Sequence, residues 1–279
     1  MERGQPIHFK ETYNCSKKSS KNNNSNNHRE ETTLNDYKPE MLSNYLQDAA
    51  MIRQLEKNGI SSLFPIQQAC FKVIAKGYDL TARDRTGSGK TLAYALPALD
   101  RLRKKELFNG NNPKVMVMVP TRELALQVTT TFEKVVVPDW KARVVAVYGG
   151  DGLNKQMEMI KRGCDIVVAT PGRLIDFINR GVMQFKDLRC LILDEADEML
   201  KQGFQRDIEN IFQAVMKATE TKPQTLLFSA TIPGWVKDIS NKYQEPKCTY
   251  IDLIGNTQVS VPKTIRHFKY PIYNFNEIR

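Results

Sequence analysis

Short, continuously apolar runs recur through the middle of the chain, at 115–119, 144–148, 165–169, 190–193 and 225–228. They are rich in Val, Ile and Leu and do not alternate with polar residues, which predicts strands covered on both faces. Between them lie segments with apolar positions at helical spacing: 91–105, 122–136, 154–162, one following Gly172, and 207–218. A shorter apolar stretch at 80–82 precedes the first helix, and a helix-like stretch (233–243) and a strand-like one (249–253) follow the last. Strand and helix in turn, with short connections, predict an α/β fold with a mostly parallel sheet and helices on both faces. Ligands of such sheets bind beyond the carboxyl ends of the strands.

The two ends of the chain break this rhythm. Residues 15–27 are almost all Ser, Lys and Asn. A segment so poor in apolar residues cannot offset its ordering entropy, so 1–40 is expected to be a disordered tail. One domain is expected over 41–255, and a polar linker over 256–279. The net charge of the 279 residues is +10, of which the tail, with seven Lys+Arg and six Asp+Glu, contributes only +1. The remaining +9 belongs to the folding part, where it serves either solubility or a polyanionic partner. No apolar run is long enough to cross a bilayer, and no secretory leader is visible, so a membrane or secreted location is not expected. The five cysteines are odd in number and form no Cys-x-x-Cys pair, which argues against zinc or a disulfide framework and for a reducing compartment.

The strongest local signal is Thr86-Gly87-Ser88-Gly89-Lys90-Thr91, placed between a predicted strand and a predicted helix. Glycines let backbone N–H groups approach phosphate oxygens, and the helix start adds its own amides and dipole. Lys90 is positioned to reach the β- and γ-phosphates, and the Thr91 hydroxyl to ligate Mg²⁺. One residue departs from the P-loop pattern: Asp84 stands five residues before Gly89, where a glycine is usual. It is read either as a charge that repels phosphate or as a solvated loop acid paired with Arg83 or Arg85.

The second signal is the apolar run that ends in Asp194-Glu195-Ala196-Asp197. A strand of this fold that ends in an acid brings the acid beside the P-loop, where Asp194 can hold Mg²⁺, mainly through water. Glu195 can then orient or deprotonate an attacking water.

Asp-Glu-Ala-Asp is also the motif that names the DEAD-box ATP-dependent RNA helicases, and the chain resembles their first domain in every further motif. Gly59 through Pro65-Ile66-Gln67 resembles the Q motif, Pro120-Thr121-Arg122-Glu123-Leu124 motif Ia, and Gly149-Gly150 the glycine doublet. Thr170-Pro171-Gly172-Arg173 resembles motif Ib, and Ser229-Ala230-Thr231 motif III. Leu63-Phe64-Pro65-Ile66-Gln67 with Arg85-Thr86-Gly87 resembles the nucleolar RNA helicase II/Gu subgroup. The resemblance, over about 42–270, implies a single RecA-like P-loop domain that binds ATP with Mg²⁺ through Arg85, Thr86, Gly87, Ser88, Gly89, Lys90 and Thr91. It implies that Gln67 reads adenine. It assigns Thr121, Arg122, Gly149, Gly150, Thr170, Gly172 and Arg173 to sequence-independent contacts with an RNA backbone. Ser229, Thr231 and Asp197 are implied to couple the two sites. The family's adenine-packing aromatic falls at Leu42 here, with Tyr45 three residues on, so either Tyr45 substitutes or stacking is weaker.

Only 48 residues follow Thr231, and no His-Arg-x-Gly-Arg motif occurs. The chain is therefore expected to be a fragment, monomeric by itself, whose second RecA-like domain would supply the remaining arginines and the rest of the RNA clamp. Nearly no hydrolysis is expected of the single domain. Two other readings are weighed against a helicase half: a stand-alone nucleotide-dependent RNA- or protein-binding module, and a P-loop kinase or GTPase, for which no Asn-Lys-x-Asp run is present. The subgroup resemblance points to the nucleus or nucleolus, with the cytoplasm as the alternative. The run 101–105 is read as cations at a helix C-terminus rather than as a nucleic-acid patch.

Overall fold

Seven of the short strands hydrogen-bond into one sheet, and every pairing in it is parallel. The computed structural model describes residues 40–104, 108 and 112–254; the expected tail (but for Glu40) and linker lie outside them. In chain order the strands are β1 (Glu40–Met41), β2 (Ser62–Leu63), β3 (Leu80–Arg83), β4 (Val115–Met118), β5 (Val144–Val147), β6 (Ile166–Ala169), β7 (Cys190–Leu193), β8 (Gln224–Ser229) and β9 (Thr249–Asp252). The helices are α1 (Ala49–Lys57), α2 (Pro65–Ala75), α3 (Lys90–Arg103), α4 (Arg122–Val135), α5 (Leu153–Lys161), α6 (Pro171–Asn179), α7 (Ala196–Lys201), α8 (Gln205–Ala218) and α9 (Gly234–Tyr243). The sheet order is β5-β6-β4-β7-β8-β3-β9, while β1 and β2 form a separate antiparallel pair.

Successive strand residues face opposite sides, and the core divides accordingly. Val115 and Val117 join a cluster with α1–α4, whereas Met116 and Met118 join one with α5–α9. Ile166, Val168, Cys190 and Ile192 fall with the first group, and Val167, Leu191 and Leu193 with the second. The expected fold, a single RecA-like α/β domain with helices on both faces, is therefore present. Strand β5 is an edge strand, and Val144 and Ala146 on it are only half-buried. The pattern singled out neither α1 nor α2, and it gave no warning of α7 or the β1–β2 pair, which are too short for a periodicity to stand out.

The strand order positions the site. β8 lies between β3 and β7, with Arg83 beside Ser229 and Leu193 beside Leu227. The loop after β3, the loop after β7 and the end of β8 therefore meet at one edge of the sheet. The ends of β4, β6 and β5 form the adjoining half of that edge.

The 101–105 run has structural partners wherever it is described. Arg101 donates to Gln224 Oε1 (2.9 Å), Arg103 pairs with Asp48 (2.9 Å) and Lys104 with Asp100 (2.7 Å). Lys105 lies outside the described residues.

Candidate nucleotide and nucleic-acid site

The Gly-rich loop joins β3 to α3. Gly87 (φ +80°) and Gly89 (φ +91°) both adopt the left-handed conformation that other residues resist. Lys90 opens α3, and its buried ammonium donates to the carbonyls of Asp84 and Arg85, both at 3.0 Å. The loop therefore curls around its own lysine. The Ser88 hydroxyl inside it is buried without a hydrogen bond of standard geometry, although it lies close enough to hold down the Asp84 carboxyl.

Asp84 is not a solvated loop acid. It is buried, and its Oδ1 accepts the Arg85 N–H at 2.7 Å. Burial pushes its carboxyl above the usual range, while Ser88, the Arg85 amide and Lys90 pull in the opposite direction. The curled loop forces this, because Asp84 must follow Arg83 off the sheet before the glycines turn. A buried anion is screened less than an exposed one. Replacing Asp84 by alanine is therefore expected to tighten Mg²⁺–ADP binding by about three- to tenfold, on the order of 1 kcal/mol. The gain should shrink as the pH falls and the wild-type carboxyl protonates. Calorimetry showing equal or weaker affinity in the variant would remove phosphate repulsion as its role.

Gln67 lies in the first turn of α2 and bridges two elements. Its Oε1 accepts the Phe64 N–H (2.8 Å), capping the helix, and its Nε2 donates to the Gly89 carbonyl (3.1 Å). These bonds leave one N–H and one lone pair of the amide unspent. The upstream position Leu42 is buried in the core, and Tyr45 packs edge-on against Phe71 (5.2 Å between ring centroids).

Asp194 follows β7 and is 2% exposed. Its Oδ2 accepts the Tyr94 hydroxyl (2.9 Å) and its Oδ1 the Glu195 N–H (2.9 Å). Burial pushes the Asp194 carboxyl up to about 6, against the pull of Lys90 and Tyr94. Glu195 is half-buried, and burial raises its carboxyl too, again against the charge of Lys90. Glu195 also has φ +54°, strained for a side chain of this kind, and stands at the N-cap position of α7 without a capping side-chain bond. The sequence reading missed Tyr94, which is fully buried and packs against Phe228 (5.2 Å). Its signal was the i, i+4 spacing from Lys90, which puts both side chains on one face of α3.

Asp197, in the first turn of α7, ties this loop to β8. Its Oδ2 accepts both the N–H (3.1 Å) and the hydroxyl (2.7 Å) of Thr231, and its own N–H donates to Ser229 Oγ (3.2 Å). Burial acts to raise the Asp197 carboxyl, but the Thr231 and Ser229 hydrogen bonds and Lys201 outweigh it and leave it below the usual range.

Further along the edge, two guanidinium groups are held by one turn. Arg122 lies 4.9 Å over the Tyr148 ring and reaches the Gly150 carbonyl at 3.4 Å. Both terminal nitrogens of Arg173 donate to the Asp151 carbonyl at 3.3 Å. Asp151 is itself fixed by the Tyr148 hydroxyl (3.1 Å) and the Gly152 N–H (2.8 Å). Thr121 caps α4 by accepting the Leu124 N–H (3.2 Å), and Thr170 stands at the start of α6. Gly149, Gly150 and Gly172 are exposed. Two helix N-termini and two oriented arginines thus face the same edge, a combination suited to phosphate oxygens and sugars but carrying no base code. Tyr148 and Asp151 carry no helicase motif, and only the fold reveals them.

The loop can take a nucleotide. Its glycines leave the backbone open, Lys90 supplies a buried cation, and Thr91 and Asp194 offer the hard oxygen donors that Mg²⁺ prefers. Fold and site together define a P-loop nucleotide-binding domain of the RecA-like class. The model of the DEAD/DEAH box helicase family matches residues 64–239. DEAD-box ATP-dependent RNA helicase 7 of Arabidopsis thaliana is 43% identical over 239 residues, covering 84% of this chain and 35% of that protein. The human ATP-dependent RNA helicase DDX50 is 38% identical over 240 residues, covering 85% and 32%. Among solved structures, a DEAD box protein from Methanococcus jannaschii superposes with a TM-score of 0.68 at 33% identity, covering 77% of this chain and 56% of that one. The yeast DEAD-box splicing factor Prp28 gives 0.70 at 29%, covering 80% and 53%. The chain belongs to the DEAD-box helicase family. It spans about a third of the length of the curated relatives it matches.

Proposed function

We propose that this chain is the ATP-binding half of a DEAD-box RNA helicase. In this reading it binds ATP with Mg²⁺ at the β3–α3 loop and one side of an RNA backbone at the Arg122–Arg173 edge. The observation that carries it is the convergence of the Lys90 loop and the Asp194 loop on either side of β8, with the charge of Lys90 acting on both Asp194 and Glu195. Lys90 leaves the Asp84 and Arg85 carbonyls for the β- and γ-phosphates, and the amides of Arg85 to Gly89 cradle them. Thr91 and Asp194 would hold Mg²⁺, and Glu195 would orient the attacking water. The Asp197–Ser229–Thr231 bonds couple this site to RNA-dependent closure against a second RecA-like domain. The arginines of such a second domain would be worth orders of magnitude in rate, so the chain alone binds nucleotide and hydrolyses it barely. In the whole protein this machinery would unwind short RNA duplexes or remodel RNA–protein particles, in the nucleus or nucleolus or, alternatively, the cytoplasm.

The choice of base gives a test. The spare N–H and lone pair of Gln67 match adenine, which presents a donor beside an acceptor, and mismatch guanine, which presents two acceptors. Calorimetry is expected to show Mg²⁺–ADP binding at least tenfold tighter than Mg²⁺–GDP, for about 1–3 kcal/mol of bidentate recognition. Gln67→Ala should erase most of that preference. Equal affinity of the unaltered chain for the two nucleotides would contradict adenine reading by Gln67, and no binding of either would sink the proposal.

A further inference from the structure

Phe64 is 57% exposed, among the most open of the large apolar side chains described. It occupies the N-cap of α2, where the capping is done by its backbone N–H and the Gln67 side chain. The ring takes no part in that bond, and no other aromatic ring contacts it among the described residues. Its position is what singles it out. A Cβ placed on Gly89 would stand 2.5 Å from Gln67 Nε2 and 3.0 Å from Phe64 Cδ2. The ring and the Gln67 amide therefore border the same point of the phosphate loop. The two upstream residues considered for base packing are committed elsewhere, Leu42 to the core and Tyr45 to Phe71.

We propose that Phe64 is the aromatic platform for the nucleobase, packing against the face of the purine whose edge Gln67 reads. This rests on the ATP-binding reading of the site. Hydrogen bonds from Gln67 select an edge but leave the two faces of the base to water. A ring at the lip of the loop covers one face, removes apolar area from water and adds stacking that any purine can use. Phe64 thus sets affinity, and Gln67 sets the choice of base. Because the ring is exposed and caps nothing, its removal should cost the fold little.

The test measures binding of Mg²⁺–ADP and of Mg²⁺–tripolyphosphate, which has no base, to the 279-residue chain and to its Phe64→Ala, Phe64→Leu and Phe64→Tyr variants. Phe64→Ala is expected to weaken ADP about tenfold, within the range for loss of one base–aromatic stack. It should leave tripolyphosphate within about twofold. Phe64→Tyr should keep the affinity for ADP, and Phe64→Leu, with bulk but no aromatic face, should fall between. ADP affinity unchanged in Phe64→Ala would overturn the assignment. An equal loss for both ligands would also overturn it, since that would place the effect in the phosphate loop. An unaltered chain that binds neither ligand would refute the ATP-binding reading and this proposal together. ADP binding that is indifferent to Phe64 removes the platform alone.

Discussion

Asp194→Asn is expected to make the nucleotide-free chain more stable at pH 7 while abolishing the Mg²⁺-dependent part of its nucleotide binding. Asp194 is 2% exposed, and burial pushes its carboxyl to about 6. Against the ordinary value of 3.8, that shift corresponds to about 3 kcal/mol of preference for the neutral form. A group raised on folding binds its proton more tightly in the native state. Its stabilising contribution is complete below the unfolded value and is lost as the pH rises through about 6. In chelator, the wild-type chain should therefore lose stability between about pH 4 and pH 7. Asparagine carries no charge to bury, and its amide can accept from the Glu195 N–H while donating to the Tyr94 oxygen. A gain of about 1–3 kcal/mol at pH 7 follows, or a few degrees in Tm for a domain of this size. The cost falls on function, because a neutral amide attracts Mg²⁺ far more weakly than a carboxylate. Thermal unfolding at pH 5 and pH 7, followed by ADP calorimetry with and without Mg²⁺, checks both halves. A variant that melts lower than wild type at pH 7, or that keeps the Mg²⁺ dependence, contradicts the argument.

Gly89→Ala is expected to cost about 2–5 kcal/mol of stability and to remove nucleotide binding. With φ at +91°, any side chain here is strained, by about 1–2 kcal/mol. The added Cβ would also lie 2.5 Å from Gln67 Nε2. Gln67 cannot swing aside freely, because its Oε1 holds the Phe64 N–H and its Nε2 the Gly89 carbonyl. Relieving the overlap breaks at least one of those bonds, at about 1–3 kcal/mol. Gly87→Ala separates the two costs. Gly87 has a similar φ, +80°, but open space where its Cβ would go, so only the conformational strain applies. Denaturant titration should rank wild type, Gly87→Ala and Gly89→Ala in falling order. Equal losses in the two variants would refute the steric part.

Much of the fold was legible because its signals are local. A parallel strand covered on both faces is apolar along most of its length, and the runs at 115–119, 166–169 and 190–193 show that in the sequence. Phosphate binding by a backbone loop needs glycines, a lysine and a helix start in immediate succession, so residues 86–91 declare themselves. The acid at the end of an apolar run declares itself in the same way at Asp194. Asp84 was left with two readings because a charged loop residue normally faces water, and only the curl of the loop around Lys90 takes it inside and removes the solvated one. Tyr94 escaped notice and Phe64 was given no role, because a Tyr in an apolar helix and a Phe at a helix start are unremarkable until their neighbours are known.

By itself, the sequence determined the class of the fold, the phosphate loop and the acidic loop. These follow from side-chain periodicity and from chemistry that requires adjacent residues. Only the tertiary structure decided the strand order, which inserts β8 between β3 and β7 and so brings Lys90, Asp194 and Ser229 to one edge. It also decided that Asp84 is buried, that Tyr94 holds Asp194, that Gln67 spans α2 and the phosphate loop, and that Phe64 is left open beside them. The physical reason is that parallel strands pair through backbone hydrogen bonds common to every residue, so an apolar run states that it will be buried but not which run will lie beside it.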